Sequence, residues 1–221
     1  DYPQNKIDII LADGASKDKT LSLVKKFNVK VIPVLPDVQN AEYNKGVAVN
    51  SAKNDVLLMI DHDNILPHQN WLKKMVTPLV DDEKIFGTGV LHFHYDKNMS
   101  PIDRYSALLG GTDPVPFYFN KSAHQSYLYK GFHLKGKLLE EKADYYKVRL
   151  NPNNIPALGG NGSILRRKLL KYANSSPDYF FHIDIHLDLA RKGYTTYAFV
   201  KDTIIHLTNN NFLPFLRRRR Y

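Results

Sequence analysis

The stretch DVLLMIDHDN, Asp55–Asn64, decides how the first half of this sequence is interpreted. Its apolar residues 56–60 run without a break into Asp61 and Asp63, which flank a histidine. A short run that is apolar throughout is typical of a parallel strand buried on both faces. In open α/β sheets, ligands bind beyond the carboxyl ends of such strands. The two carboxylates are therefore either a solvated acidic turn or part of a binding site.

Strand and helix patterns alternate on both sides of this stretch. The sequence predicts strands over residues 6–12, 29–35, 56–60 and 85–91, and helices over residues 18–27, 41–52 and 71–80. Strands that alternate with helices in this way are typical of an α/β fold whose strands are joined by right-handed crossovers. We therefore expect an α/β fold with a Rossmann-like, mostly parallel sheet flanked by helices.

The alternation ends near residue 96. Residues 97–156 are rich in Tyr, Asn, Lys and Pro without clear periodicity, which favours loops and short helices around a binding surface. A helix is predicted over residues 178–192, because Gly193 is a typical residue to follow a helix. Short strands are predicted over residues 195–200 and 203–206. The chain is thus divided into residues 1–96, residues 97–211 and a tail over residues 212–221.

Composition limits the function classes. The 221 residues include no cysteine, which excludes disulfide frameworks, thiolate zinc sites and cysteine nucleophiles. The absence of cysteine suits a reducing cytosol, and no apolar run is long enough to span a bilayer. We therefore expect a cytoplasmic protein.

Positive charge is concentrated in the tail, FLPFLRRRRY. Four of the charges behind the formal net charge of +9 belong to the arginines at positions 217–220. Elsewhere, Lys and Arg are not spread along one face with interleaved aromatics, so we expect no nucleic-acid partner. Clustered arginines beside bulky apolar residues suit peripheral contact with an anionic membrane at its inner face. The alternative is a solvated terminus.

Two further segments place polar residues beside predicted strands and helices. ADGASKDKT, residues 12–20, puts Asp13 at a strand end, where its carboxylate can accept hydrogen bonds from a base or a ribose. The same segment also suits a helix cap by Ser16 or Asp18. EYNKGVAVNSA, residues 42–52, begins a helix whose amino end and Lys45 suit a phosphate. A surface turn before the helix is the alternative there.

Asp61 and Asp63, one residue apart at a strand end, suit a hard divalent cation. Mg²⁺ and Mn²⁺ take carboxylate oxygens together with substrate phosphate oxygens and several waters. An extended chain would turn the intervening His62 to the other side.

In their order and spacing, the three segments resemble those of glycosyltransferase family 2, a family of the GT-A fold. Its members move a sugar from a nucleotide-sugar donor to an acceptor. The matching motifs are Asp-x-x-Ser-x-Asp-x-Thr after a strand, Asn-x-Gly around a basic residue, and Asp-x-Asp after an apolar strand. The matching residues are Asp13, Ser16, Asp18 and Thr20, then Asn44, Lys45 and Gly46, then Asp61 and Asp63.

The resemblance continues downstream. LGGNGSILRRKLL, residues 158–170, is similar to the glycine-rich segment of the family, which implies that Gly160, Asn161 and Gly162 lie on the acceptor side. His206 falls where many relatives place a histidine near the diphosphate or the metal, and a structural histidine at a strand end is the alternative.

The segment HIDIHLDLARKGY, residues 182–194, is similar to the one that carries the family's catalytic base. The resemblance implies that Asp184 is this base. Two departures leave Asp188 as an alternative base. Ile183 replaces the expected Glu, and the spacing to Gly193 is about two residues short.

The resemblance implies an inverting, metal-assisted transferase. A nucleotide-sugar donor would bind the half formed by residues 1–96, through Asp13, Ser16, residues 44–46 and Asp61. A saccharide or lipid-linked acceptor would bind the half formed by residues 97–211, as in polysaccharide or glycolipid biosynthesis. Mg²⁺ or Mn²⁺ would be held by Asp61, Asp63 and His206. The family's first strand and helix are not matched, so a fragment of a longer protein is expected. A nucleotidyltransferase of similar sheet architecture and a degenerate, non-catalytic binding module are the alternatives.

Overall fold

A computed structural model describes residues 1–208 and 212–217. The elements of the first half are β1 (Ile9–Asp13), α1 (Thr20–Val24), β2 (Val29–Pro33), α2 (Ala41–Ser51), β3 (Val56–Met59), β4 (Asn64–Ile65), α3 (Trp71–Asp81) and β5 (Gly87–Phe93). The alternation of strands and helices predicted for this half is confirmed. The short strand β4 was not predicted, because two residues carry no periodicity.

The second half contains more strand than the sequence indicates. Its elements are α4 (Pro101–Leu109), α5 (Pro114–Tyr118), β6 (Lys137–Glu141), β7 (Tyr145–Arg149), β8 (Ser163–Arg166), α6 (His182–Arg191), β9 (Thr196–His206) and α7 (Phe212–Arg217). The prediction of loops and short helices over residues 97–156 is wrong for the hairpin β6–β7. All five residues of β6 are exposed, so its sequence lacks the alternation of a half-buried strand. The two short strands predicted near the end form one strand, β9.

The α/β fold with a helix-flanked sheet is confirmed, and its strands have mixed directions. β1 and β2 form a parallel pair, while the larger sheet has the order β3-β8-β5-β9-β7-β6, with β4 paired to β9. Among the described residues only β1–β2 and β5–β9 pair in parallel. The sheet is not mostly parallel, because β8 inserts between β3 and β5 and runs antiparallel to both. No strand was predicted over the residues of β8, Ser163–Arg166.

Apolar side chains fill both faces of the larger sheet. Neighbouring residues of β9 point to opposite faces, so Tyr197 joins one cluster and Ala198 the other. Helix α6 covers the first face with Ile185 and Leu189, and α3 covers the second with Trp71. The sheet is therefore the middle layer, with α6 on one face and α3 on the other.

The tail is described only in part. Residues 218–221, with three of the four predicted tail arginines, lie outside the described residues, and α7 exposes Phe212 and Leu213. Within the described ranges, no helix combines the length and the apolar character that crossing a bilayer requires.

The first turn of α2 depends on one asparagine. Asn40 Oδ1 accepts hydrogen bonds from the backbone N–H groups of Glu42 (3.0 Å) and Tyr43 (2.9 Å). We expect Asn40→Ala to lower the free energy of unfolding by about 1 kcal/mol, because two N–H groups lose their acceptor. Asn70 precedes α3 in the same way, but its side chain makes no capping bond.

Asn70→Ala is therefore the matched control, with an expected change below about 0.5 kcal/mol. Urea unfolding of both variants measures the difference. Equal losses in the two variants would contradict the capping role of Asn40.

Candidate active site

The two carboxylates predicted to bind a metal lie on a tight turn between β3 and β4. Asp61 N–H donates to Asn64 Oδ1 at 3.0 Å, which closes the turn. Beyond it, Asn64 and His206 are register partners of β4 and β9. The turn therefore holds Asp61 and Asp63 near the end of β3, as the sequence predicts, but each carboxylate has its own set of partners.

Asp61 links the two halves of the chain. Its Oδ1 lies 2.7 Å from Nζ of Lys45 on α2, and its Oδ2 accepts a bond of 3.4 Å from the backbone N–H of Asn161. Lys45, a predicted donor residue, and Asn161, a predicted acceptor-side residue, therefore meet at this one carboxylate.

Asp63 is paired with His206. His206 Nε2 lies 3.3 Å from Asp63 Oδ2, and its ring stacks on Phe93 with centroids 5.0 Å apart. Partial burial raises the pKa of Asp63, but the bond and charge of His206 and the charge of His62 outweigh it, so the net pKa is lowered. His206 Nδ1 is buried and has no partner among the described residues. The histidine thus favours the ionised form of Asp63, the form that binds cations.

Lys45 stands between two carboxylates. Its Nζ lies 2.7 Å from Asp61 and 3.0 Å from Oε1 of Glu42, a residue of the same helix. Burial lowers the pKa of Lys45, but the charges and hydrogen bonds of Asp61 and Glu42 outweigh it and raise the net pKa. Lys45 is therefore a fixed positive charge at the amino end of α2.

The neighbours of Lys45 on α2 have different environments. Asn44 Oδ1 is buried without a partner among the described residues, which leaves an acceptor for a ligand or a water. Gly46 instead packs tightly, since a Cβ there would lie 2.8 Å from Phe180 and from Pro177. This close approach gives Gly46 a packing role.

The loop of Gly160, Asn161 and Gly162 is bound to the carboxylate turn. Gly162 N–H donates to the carbonyl oxygen of Met59 at 2.9 Å, and Asn64 Nδ2 donates to Asn161 Oδ1 at 2.8 Å. Asn161 and Gly162 both have left-handed backbone conformations, with φ of 52° and 83°. These contacts hold the predicted acceptor-side loop against the predicted metal-binding turn.

Asp13 lies at the end of β1, apart from this network. Its carboxylate is buried and accepts a bond of 3.1 Å from the backbone N–H of Ser16, while the side chain of Ser16 is exposed. In the part of the chain that the structure describes, no hydrogen bond or ion pair joins Asp13 to Asp61. Helix α2, which packs against β1, is the element that connects the two.

The predicted bases lie on α6. Asp184 is exposed in the first turn of the helix, and Asp188 accepts a bond of 3.2 Å from the backbone N–H of Asn174. The first residue of α6, His182, contacts the network instead: its Nδ1 lies 2.9 Å from Glu42 Oε2. The sequence reasoning missed both His182 and Glu42. The signal was the spacing to Gly193, which is about two residues too short when it is counted from Asp184. The expected spacing is reached by counting from the position two residues before Asp184, which is His182.

Within the described residues, the three predicted metal ligands Asp61, Asp63 and His206 are not gathered into one metal site, and no other three His, Cys, Asp or Glu side chains are gathered to hold a metal. Asp61 and Asp63 nevertheless lie on the same turn and present carboxylate oxygens, the ligands that Mg²⁺ and Mn²⁺ prefer. These ions complete their shells with substrate phosphates and waters, so the chemistry of the two carboxylates is compatible with such an ion.

The pKa of Glu42 makes the stability of the fold depend on pH. Burial raises this pKa, but the bond and charge of His182 and the charge of Lys45 bring it down to about 2. A carboxyl with a lowered folded-state pKa stabilises the fold above the unfolded pKa of about 4.3, and this contribution is lost as the pH falls towards 2. We expect wild type to lose more free energy of unfolding than Glu42→Gln between about pH 5 and pH 3.

Urea unfolding across this pH range measures that difference. Glu83→Gln is the matched control, since Glu83 is exposed and forms no ion pair within the described residues, and it should follow the wild-type curve. Parallel curves for wild type and Glu42→Gln would contradict the role given to Glu42.

Solved structures share this fold at low identity. TarS 1–349 of S. aureus is 16% identical with a TM-score of 0.53, covering 99% of this chain and 56% of that one. The mannosyltransferase PcManGT from Pyrobaculum calidifontis, solved with GDP-Man and Mn²⁺, is 16% identical with a TM-score of 0.59, covering 100% and 53%. Glucosyl-3-phosphoglycerate synthase from Mycobacterium tuberculosis, solved with Mn²⁺ and UDP-Glc, is 18% identical with a TM-score of 0.52, covering 94% and 62%.

The chain thus spans between 53% and 62% of the length of these three proteins. No curated protein matches it. The sequence profile described as glycosyl transferase family 2 matches residues 1–172, which is most of the chain. This match decides against the nucleotidyltransferase alternative. The chain belongs to glycosyl transferase family 2.

Proposed function

We propose that the protein transfers a sugar from a nucleoside diphosphate sugar to an acceptor hydroxyl, as a hexosyltransferase-like enzyme that inverts the anomeric carbon. One observation carries the proposal: the carboxylate turn after β3 is joined to Lys45 of α2 and to the Gly160–Gly162 loop in one network. A diphosphate donor needs positive charge and cation-binding oxygens side by side. The network supplies both beside a glycine-rich loop.

The donor is proposed to bind along the first half of the chain. Asp13 accepts hydrogen bonds from the base or the ribose, next to Ser16, and its burial at the end of β1 supports this role. Lys45 faces the diphosphate, and Asn44 lies next to it in the same helix. Gly46 lets α2 pack closely behind them.

A divalent cation, Mg²⁺ or Mn²⁺, is proposed to be held by Asp61 and Asp63, with His206 beside them. When bound, the cation supplies positive charge that stabilises the departing nucleoside diphosphate. His206 supports this role because it lies 3.3 Å from Asp63 and favours its ionised form. Lys45 contributes further positive charge at the same place.

The acceptor is proposed to be a saccharide or a lipid-linked sugar, as in polysaccharide or glycolipid biosynthesis. It would approach over the loop of Gly160, Asn161 and Gly162, where the absence of large side chains leaves room beside Asp61. A cytoplasmic location with peripheral membrane contact through the basic tail is proposed, and the exposed Phe212 and Leu213 of α7 support that contact.

Inversion requires a base on the face of the sugar opposite the leaving group. The sequence predicts Asp184 for this role, with Asp188 as the alternative, and both lie on α6. The amino end of α6 borders the glycine-rich loop, since a Cβ on Gly159 would lie 2.5 Å from the carbonyl oxygen of His182. We therefore propose that a side chain at this end of α6 takes the proton of the acceptor hydroxyl.

The proposed function is tested by measuring donor binding and donor cleavage. UDP-glucose, UDP-N-acetylglucosamine and GDP-mannose are each added with and without Mn²⁺, and both the melting temperature and the release of nucleoside diphosphate are measured. We expect one donor to stabilise the protein and to be cleaved only with the cation, with inverted configuration of the product. Binding without cleavage would indicate the non-catalytic module, and no response to any donor would overturn the donor site.

A further inference from the structure

His182 and Glu42 form a hydrogen-bonded pair beside the proposed active site. His182 Nδ1 lies 2.9 Å from Glu42 Oε2, and the backbone N–H of His182 donates to the same oxygen at 3.1 Å. The other oxygen of Glu42 lies 3.0 Å from Lys45 Nζ. Because the carboxylate is held from both sides, it fixes the position of the imidazole ring.

This contact determines which ring nitrogen of His182 carries the proton. The pKa of Glu42, lowered to about 2, makes its side chain an ionised acceptor at neutral pH. Nδ1 of His182 must therefore be the donor, so Nε2 is the ring nitrogen left to accept a proton. An oriented imidazole with a free Nε2 is the arrangement by which a histidine acts as a general base.

Nε2 faces the glycine-rich loop. A Cβ placed on Gly160 would lie 3.4 Å from His182 Nε2 and 3.9 Å from Asp61 Oδ2, so both groups border the same point. Among the described residues, no side chain or backbone group forms a hydrogen bond with this Nε2. The missing side chain of Gly160 therefore leaves a gap in which a hydroxyl can contact Nε2 beside the carboxylate turn.

We propose that His182, oriented by Glu42, is the general base that takes the proton of the attacking hydroxyl, an inference that rests on the proposed function. The hydroxyl oxygen forms a bond to the anomeric carbon while the bond from that carbon to the diphosphate oxygen breaks. The electron pair of the broken bond leaves with the nucleoside diphosphate, and the hydroxyl proton moves to Nε2. Glu42 stabilises the imidazolium that results, so it acts as a positioning residue.

Helix geometry separates His182 from the sequence-predicted bases. Two positions along an α-helix are turned by about 200°, so Asp184 lies on the face opposite His182. Asp184 is exposed, whereas the side chain of His182 is 18% exposed and points into the network. Asp188 is bonded to the backbone of Asn174. The gap beside Asp61 is thus bordered by His182 and by neither aspartate.

The charged and titratable groups around His182 come from three elements. Glu42 and Lys45 face it from α2, and Asp61 faces the same gap from the turn after β3. His186 lies one turn further along α6, where its Nδ1 is 3.0 Å from the His182 carbonyl oxygen. Burial lowers the pKa of His186 to about 4, so this neighbour is uncharged at neutral pH.

The test compares His182→Ala with wild type, using whichever of the three nucleotide sugars binds, with Mn²⁺ and with water or a free monosaccharide as the acceptor. We expect His182→Ala to lower kcat by about 10²- to 10⁴-fold, with unchanged donor affinity. Added imidazole should raise the kcat of His182→Ala at least about tenfold, since it replaces a base but not a packing contact. A wild-type-like kcat in His182→Ala, or no recovery with imidazole, would overturn the proposal.

Further variants separate the role of His182 from those of Asp184 and Glu42. The kcat of Asp184→Asn should stay at least about tenfold above that of His182→Ala. An equal or lower kcat in Asp184→Asn would overturn the assignment to His182. Glu42→Leu should lower kcat, and Glu42→Asp should recover part of the loss. Glu83→Gln serves as the exposed control. If wild type neither binds nor cleaves a donor, the proposed function itself fails, whereas an active wild type with an active His182→Ala overturns this inference alone.

Discussion

Asp63→Asn is expected to lower sugar transfer by about 10³-fold, because removing several kcal/mol of charge stabilisation costs about tenfold per 1.36 kcal/mol. Asn has the shape of Asp and keeps an oxygen for the neighbouring Asn64 Nδ2, which lies 3.4 Å from the carboxylate. Replacing Asp63 alters its contact with His206 but leaves the ion pair between Asp61 and Lys45 in place.

The Asp63 prediction is checked by nucleoside diphosphate release against Mn²⁺ concentration. Asp55→Asn is the matched control, an exposed aspartate at the opposite end of β3 that should keep wild-type activity. Activity of Asp63→Asn within about tenfold of wild type at saturating Mn²⁺ would contradict a ligand role for Asp63.

Gly160→Val is expected to lower transfer by about 10²-fold or more, because its side chain fills the gap between Asp61 and His182. The first added carbon already lies 3.4 Å from His182 Nε2, so further methyl groups displace either the histidine or the acceptor. Displacing a reacting group by about 1 Å is enough for a loss of this size. Gly160 does not have a left-handed backbone conformation, so the fold should tolerate the change.

A series of Gly160→Ala and Gly160→Val measures the effect of side-chain volume on kcat and on the free energy of unfolding. Gly111→Val is the matched control, because its nearest atom, a backbone oxygen of Asp113, lies 3.9 Å from the added Cβ. If Gly160→Val unfolds the protein or leaves kcat unchanged, the gap is not the place where the acceptor reacts.

Most of the elements and contacts that the sequence predicted correctly rest on local patterns of residues. The apolar run of β3, the turn with Asp61 and Asp63, and the amino end of α2 each lie within a dozen residues, where periodicity and turn chemistry act. These patterns gave the alternating elements of the first half, and the structure joins Lys45 to Asp61 as two members of one site. The assignment of roles to these residues stays a prediction.

Contacts between residues far apart in the chain could not be predicted from the sequence. Glu42 and His182 are 140 positions apart, and neither residue has a local signal, because a glutamate in a first helical turn is an ordinary helix-stabilising residue. The direction of β8 was hidden for the same reason, since four residues cannot specify which neighbours they pair with. Where the sequence showed a misfit, at the short spacing before Gly193, the misfit marked the residue that the structure brings into the site.

The position of β8 has a consequence for synthesis of the protein on the ribosome. Among the described residues β3 pairs only with β8, through contacts such as Leu57 with Leu165, so neither edge of this apolar strand has a strand partner until the later residue has been made. At about 5–20 residues per second, a wait of roughly a hundred residues lasts about 5–20 s. An unpaired apolar edge invites aggregation during that time. The nascent chain therefore exposes both edges of β3 until its second half supplies β8.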